Sequence, residues 1–315
     1  MQFHLNFQPA VSNHKINHQQ ELLFIGSCFS EHIADKLHQL QFNVSSNPFG
    51  ILFNPISIAT SISRIIHKHL FTDKDVFEKN GLWFCLEIST KIFAETKEGL
   101  VSTLNTIILA WHEKLKQAKW LVFTFGSAYA YKHIEQHKIV ANCHKLPQHL
   151  FQKELIDTKD IVTCYAALFS ELKKLNPQLS LLLTVSPVKH LRDGIIENTL
   201  SKSILIQAVH QLLKEHQQCH YFPSYELVID DLRDYRFFEK DLAHPNAQAI
   251  EYVWRKFESV YFTKETSELN KEIEAILLAK KHQLLQPNSA ESIAFEVLLR
   301  NKIKALNQKH PWLTF

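Results

Sequence analysis

The sequence is poor in glycine, and it carries no excess of charge of either sign. Six glycines in 315 residues leave little scope for a phosphate-binding loop, and no glycine-rich nucleotide fingerprint is present. The 35 basic residues nearly balance the 32 acidic residues, which gives a formal net charge of +3. This balance argues against nucleic acid or an anionic membrane as a partner.

Long hydrophobic runs and a disulfide framework are also missing. No segment resembles a transmembrane span, and the N-terminus lacks a cationic region followed by a long apolar core. The five cysteines are scattered and odd in number, which is typical of reduced thiols. We therefore expect a cytoplasmic protein. The length of the chain fits one enzyme-sized α/β domain with an appendage.

Short apolar runs alternate with segments of helical periodicity, as in βαβ units. The first run, residues 22–25, has the composition of a strand buried on both faces of a parallel sheet. It stops at Gly26, and a helical spacing of apolar residues follows from Ser30, so Gly26 and Ser27 fall in a strand-to-helix turn. Further strands are predicted at residues 83–89, 120–125 and 179–185, a late strand or edge segment at residues 221–228, and a small hairpin within residues 77–93.

Ser27 is the candidate nucleophile. In open α/β sheets, ligands bind beyond the carboxyl ends of the strands, where a helix N-terminus favours developing negative charge. A hydroxyl placed there could attack a carbonyl, and the Ser27 N–H could help to hold the oxyanion. Serine is also a preferred N-cap residue, and for this turn alone capping is the more common explanation. Cys28, at a position that lowers a thiol pKa, is the alternative nucleophile.

A second motif, Asp-Leu-Ala-His-Pro at residues 241–245, supplies the other groups that a serine nucleophile needs. Pro245 disfavours helix at His244 and suits the start of the next helix, which is predicted at residues 247–257. Asp241 could accept the Nδ1 proton of His244 and leave Nε2 to act as the general base for Ser27. A solvated loop with a capping role is the alternative for this motif by itself.

Together with other short motifs, these two resemble the GSCFA family, a branch of the SGNH (GDSL-like) hydrolase superfamily. The family is named after Gly-Ser-Cys-Phe-Ala, and residues 26–30 read Gly-Ser-Cys-Phe-Ser. The resemblance covers about residues 1–260. The other matching segments are residues 47–55, 125–128, 142–145, 186–188 and 230–237.

The resemblance implies a flavodoxin-like three-layer α/β/α sandwich with a mainly parallel sheet. It also implies a serine nucleophile, glycine and asparagine oxyanion donors, and the Asp-x-x-His motif. Gly50 is the candidate for the glycine donor, and otherwise it only permits a turn. The sequence departs from the superfamily after the central strand, where Gly126, a further candidate for oxyanion or substrate binding, is followed by serine and alanine, not by asparagine. Asn142 is then the best substitute donor.

An ester is the substrate that this constellation fits. We expect a small molecule or an acylated carbohydrate, with no cofactor and no metal. Arg233 could receive a carboxylate or sugar oxygen of the substrate, or it could brace the Asp-x-x-His loop. An O-acyltransferase is the close alternative, since only the acyl acceptor differs. A non-catalytic binding or scaffold protein that retains the fold is the alternative from another class.

The C-terminal part of the chain has a different character. The predicted hydrolase-like domain covers residues 1–262, and a charged, helical extension covers residues 263–315. Two helices are expected there, at residues 269–285 and 290–307, separated by a break at residues 287–289. Each has one apolar stripe, which includes Ile273, Ile276, Leu277 and Leu284 in the first helix. Such stripes usually pack, so we expect them to fold back on the domain or to join two copies of the chain.

Overall fold

A five-stranded parallel sheet forms the centre of the computed structural model, which describes residues 5–282 and 289–315. The strands of the described chain are β1 (Leu22–Gly26), β2 (Val44–Ser46), β3 (Val76–Lys79), β4 (Leu82–Cys85), β5 (Trp120–Phe125), β6 (Tyr129–His133), β7 (Lys138–Val140), β8 (Phe151–Leu155), β9 (Ser180–Val185) and β10 (Cys219–Tyr221). The helices are α1 (Cys28–Gln39), α2 (Pro55–Ile66), α3 (Lys97–Gln117), α4 (Thr158–Leu175), α5 (Ile195–Glu215), α6 (Ser224–Glu226), α7 (Ala247–Tyr261), α8 (Lys264–Lys281) and α9 (Ala290–Lys309).

The order of the strands in the central sheet is β10-β9-β5-β1-β2. Counted along the chain, the five strands of this sheet follow the order 2-1-3-4-5, which is that of the flavodoxin-like doubly wound fold. The expected fold class is therefore confirmed. In this topology the strand order reverses between β1 and β5, and the crevice beyond their carboxyl ends is where such folds bind ligands.

Alternating side chains of the central strands enter two separate cores. Leu23 and Ile25 of β1 face the core formed with helices α2 to α5, whereas Leu22 and Phe24 face the core that includes α1, α7 and α8. All five residues of β1 are buried, which explains why the strand reads as a continuous apolar run. This two-sided burial fixes the register of β1 and hence the position of Ser27 at its end.

Two small antiparallel sheets accompany the central one. β3 pairs with β4, which confirms the hairpin predicted within residues 77–93. The order β7-β6-β8 forms a second small sheet that was not predicted, because its strands are short and mix polar with apolar residues. The predicted strand at 221–228 is wrong beyond β10. There the chain turns into α6 and the π-helical segment Leu227–Leu232.

The C-terminal helices contribute to the second core. Ile273 and Ile276 of α8 are fully buried and belong to the same apolar cluster as Phe257 and Tyr261 of α7. The end of the predicted helix at 269–285, together with Leu284 and most of the predicted break at 287–289, lies outside the described residues. Among the helices that are described, none has the length and apolarity needed to cross a membrane.

Candidate active site

Ser27 occupies the N-cap position of α1, but its side chain does not cap the helix. The residue is 1% exposed, and its Oγ atom has no hydrogen-bond partner in the part of the chain that the structure describes. A buried hydroxyl without a partner costs free energy, so such groups are uncommon in native proteins. Helix capping therefore does not explain this serine.

The peptide groups before Ser27 are held from three sides. The Gly26 N–H donates to Asn47 Oδ1 at 2.8 Å, and the Gly26 carbonyl accepts from the Leu52 N–H at 3.1 Å. The Ser27 N–H donates to the Thr124 carbonyl at 3.1 Å. Asn47 is buried with φ 43°, and it was named from sequence only as part of a motif. Its side chain positions the turn that carries Ser27.

Asp241 and His244 form a hydrogen-bonded pair on the loop before α7. His244 Nδ1 and Asp241 Oδ2 are 2.6 Å apart, and both side chains are about half exposed, at 49% and 50%. Asp241 Oδ1 also accepts the backbone N–H groups of His244 and Ala243, at 3.0 and 2.9 Å. These backbone bonds, then the His244 side chain, lower the pKa of Asp241 to about 2. Asp241 is therefore ionised at neutral pH, and it holds His244 through Nδ1 and not through Nε2.

This loop is fixed to the segment that follows β9. The Lys189 N–H donates to the Ala243 carbonyl at 3.0 Å, and the Lys189 ammonium lies 4.1 Å from the centres of the Tyr235 and Phe238 rings. Ser27 Oγ and His244 are not directly hydrogen-bonded in this structure. Catalytic hydrogen bonds are often long in ligand-free proteins and tighten when substrate binds.

The backbone donors expected for an oxyanion are already engaged. The Ser27 N–H is bonded to Thr124, and the Gly50 N–H donates to the Asn47 carbonyl at 2.8 Å within a turn where Gly50 has φ 73°. In this conformation neither N–H is free for an oxyanion. The start of α1 still places the positive end of the helix dipole next to Ser27.

Gly126, Asn142 and Arg233 lie in different environments. The Gly126 N–H donates to the Phe53 carbonyl at 2.9 Å. Asn142 is half-buried and uses Oδ1 to accept the His144 N–H at 2.7 Å, which leaves its amide N–H₂ for another acceptor. Arg233 is exposed at the end of a helical turn with φ 57°, and among the described residues no ion pair or hydrogen bond joins it to Ser27 or His244. Roles for all three stay predictions.

Cys28 does not have the environment of an activated thiol. Burial, followed by the negative charge of Glu31, raises the pKa of Cys28 above its usual value, which is the reverse of the expected fall. Its side chain packs against the core that contains Phe29. Because the thiolate is the nucleophilic form, this environment disfavours Cys28 as the alternative nucleophile.

Lys202 on α5 is a buried cation that sequence reasoning missed. The residue is 1% exposed, and its Nζ donates to the carbonyls of Gly126 at 2.6 Å and Ser186 at 2.7 Å. These carbonyls directly follow β5 and β9, so Lys202 ties together two strand ends beside the candidate site. The burial of Lys202 could have been predicted from the helical spacing, because it lies on the buried stripe of α5. The other residues of this stripe are Asn198, Ser201, Leu205, Ala208, Val209 and Leu212.

Lys202 should make the protein more stable as the pH rises above neutrality. Burial lowers the pKa of Lys202 from 10.5 to about 7 in the folded chain. Below about pH 7 Lys202 is protonated in both the folded and the unfolded chain, so the folded chain bears the full cost of burying the charge. Between the two pKa values the unfolded chain binds more protons, so the free energy of unfolding increases with pH, by at most about 1.4 kcal/mol per unit.

Denaturant unfolding of the wild type and Lys202→Met at about pH 7 and about pH 9 measures this effect. The free energy of unfolding of the wild type, relative to that of Lys202→Met, should be larger at the higher pH. Lys302→Met, which removes an exposed lysine of α9, is the control and should leave the pH dependence unchanged. A difference between wild type and Lys202→Met that is the same at both pH values would contradict the assignment.

Comparisons with known proteins were made against family models, curated proteins and solved structures. The model of the GSCFA family matches residues 21–257. A solved structure described as "Crystal structure of a carbohydrate esterase family 3 from Talaromyces cellulolyticus" aligns with 82% of this chain and 99% of its own chain, at 8% identity and a TM-score of 0.38. No curated protein gives a significant match.

Proposed function

The chain belongs to the GSCFA family, and we propose that it is a serine hydrolase that cleaves an O-acyl ester with Ser27, His244 and Asp241. The observation that carries the proposal is the state of Ser27, a buried N-cap serine whose hydroxyl neither caps its helix nor bonds to any other described group. It stands at the end of β1, next to the point where the strand order reverses. The substrate is an ester of a small molecule or of a carbohydrate.

In the proposed reaction, His244 Nε2 takes the proton of Ser27 Oγ as that oxygen attacks the ester carbonyl carbon. Asp241 accepts the hydrogen bond from Nδ1 and stabilises the imidazolium that forms. The tetrahedral intermediate collapses to an acyl-enzyme when His244 returns the proton to the leaving alcohol. Water then repeats the sequence on the acyl-enzyme and releases the acid.

Hydrolysis of p-nitrophenyl acetate by the purified protein tests this proposal. The wild type should show turnover, with an initial burst of p-nitrophenol if water releases the acyl group more slowly than the acyl-enzyme forms. Cys28→Ala should keep this activity, since the thiol has a raised pKa and packs in the core. Activity lost in Cys28→Ala with the fold intact would instead assign the nucleophile to the thiol.

The same assay separates the alternatives. An acyltransferase would show turnover that increases when an alcohol or sugar acceptor is added, with the acylated acceptor as product. A folded wild type that neither hydrolyses the ester nor acylates an acceptor would favour a binding protein. The absence of a direct hydrogen bond between Ser27 and His244 is the observation that favours this second candidate.

A further inference from the structure

The imidazole of His190 has an unused hydrogen-bonding group beside the candidate site. Its Nε2 atom is buried and has no partner within the described chain. The ring lies against Gly126, because a Cβ atom added to that glycine would be 3.3 Å from Nε2. Buried polar atoms are rarely left without a partner, so this nitrogen needs an explanation. Gly126 directly follows β5, the neighbour of the strand that carries Ser27.

Contacts from three elements hold His190 in this position. Its N–H donates to Asn198 Oδ1 of α5 at 2.8 Å, and its ring packs edge-on against Phe53 at 5.7 Å. Phe53 follows Leu52, the residue whose N–H holds the Gly26 carbonyl. The preceding residue, Lys189, bonds to the loop that carries His244. His190 is thus connected to both halves of the proposed catalytic site.

The surroundings keep this imidazole neutral. Burial, then the charge interactions with Lys202 and with His244, lowers the pKa of His190 to about 3, and Asp193 acts in the opposite direction. A neutral imidazole has one N–H donor and one acceptor nitrogen. When the proton is on Nε2, it is a donor without an acceptor, inside a site that lacks free backbone donors at Ser27 and Gly50.

We propose that His190 Nε2–H donates a hydrogen bond to the substrate carbonyl oxygen as it becomes an oxyanion. This inference rests on the proposed serine hydrolase function. As the bond between Ser27 Oγ and the carbonyl carbon forms, the π pair of the carbonyl moves onto oxygen, and the serine proton goes to His244. His190 keeps its own proton throughout. It supplies a side-chain donor beside Gly126, at the end of β5, where the Ser27 and Gly50 N–H groups are already engaged.

Two variants distinguish the hydrogen-bond donor of His190 from the packing of its ring. His190→Phe keeps the packing against Phe53 but removes the donor, and His190→Gln keeps an amide N–H at a similar reach. A fluorophosphonate probe measures the effect directly, because its reaction with a serine develops negative charge on a phosphoryl oxygen. The rate of adduct formation on Ser27, followed by mass spectrometry, should fall roughly 10²- to 10³-fold in His190→Phe. In His190→Gln it should stay within about tenfold of the wild type.

Steady-state hydrolysis of p-nitrophenyl acetate should show the same pattern in kcat with little change in KM, since the bond is strongest in the transition state. Equal adduct rates in the wild type and His190→Phe would overturn the role of His190 and leave Ser27 as the nucleophile. A wild type that forms no adduct on Ser27 would overturn the proposed function, and this inference with it.

A second measurement does not depend on reaction at Ser27 or on the folding of a variant. In ¹⁵N spectra of the histidine-labelled wild type, the neutral His190 ring should carry its proton on Nε2. A proton on Nδ1 instead would make Nε2 an acceptor and would overturn the inference.

Discussion

Replacing Ser27 with alanine should abolish ester hydrolysis and leave the fold intact. We expect kcat/KM to fall roughly 10⁴- to 10⁶-fold, because the nucleophile and its base act as one unit and removal of either stops the covalent route. His244→Ala should lose about as much. The double variant should lose no more than either single variant, since each already removes the whole route. Initial rates with p-nitrophenyl acetate at equal concentrations of folded protein measure this effect.

Ser30 provides a matched control for Ser27. It lies in the first turn of the same helix, it is 1% exposed, and its Oγ atom likewise lacks a partner in the described structure. Ser30→Ala therefore removes the same buried group from the same helix end, so any general effect on α1 appears in both variants. Activity retained in Ser30→Ala and lost in Ser27→Ala would assign the effect to chemistry. Ser27→Ala with at least a tenth of wild-type activity would refute the proposed mechanism.

Most of the central sheet could be predicted from the sequence, because a strand that is buried on both faces appears as a continuous apolar run. β1, β5 and β9 are runs of consecutive buried residues, and such runs at this length are predictable without a structure. The small sheet of β6, β7 and β8 has no such pattern, because its strands pair at the surface and mix exposed with buried residues. The failure at residues 221–228 has a different cause. The aromatic residues there, Tyr221, Phe222 and Tyr225, are compatible with a strand, but the chain continues as a helix.

Motifs whose residues lie close together in the sequence could be predicted, whereas contacts between distant segments could not. The pairing of Asp241 with His244 follows from three residues of separation on one loop. Asn47 acts on Gly26, 21 residues earlier, and Lys202 acts on the Gly126 carbonyl, 76 residues earlier. No local pattern encodes such partners. His190 is similar, since its neighbours Gly126 and His244 come from distant segments that meet only in the fold.

Gly26→Ala should be among the most destabilising single substitutions in this chain. Gly26 has φ 138°, a conformation that residues with a Cβ atom rarely adopt. An added Cβ would overlap the carbonyl oxygen of Thr124 and approach its carbonyl carbon to 2.8 Å. Both atoms belong to the backbone of β5, so no side-chain rotation can relieve the clash. We expect a loss of more than about 3 kcal/mol in the free energy of unfolding, from strain and overlap combined.

Gly81→Ala is the control for a glycine that has a positive φ but open surroundings. Gly81 also has a positive φ, of 78°, but an added Cβ would meet no atom within 4 Å. This variant should therefore lose only about 1 kcal/mol, the cost of the left-handed conformation alone. Denaturant unfolding of both variants beside the wild type measures the two losses. Equal losses would mean that β1 can move away from Thr124, which its pairing with β2 and β5 and the bonds from Asn47 and Leu52 oppose. A much larger loss for Gly26→Ala would show that the turn before Ser27 tolerates only glycine, through its φ of 138° and its contact with the Thr124 backbone together.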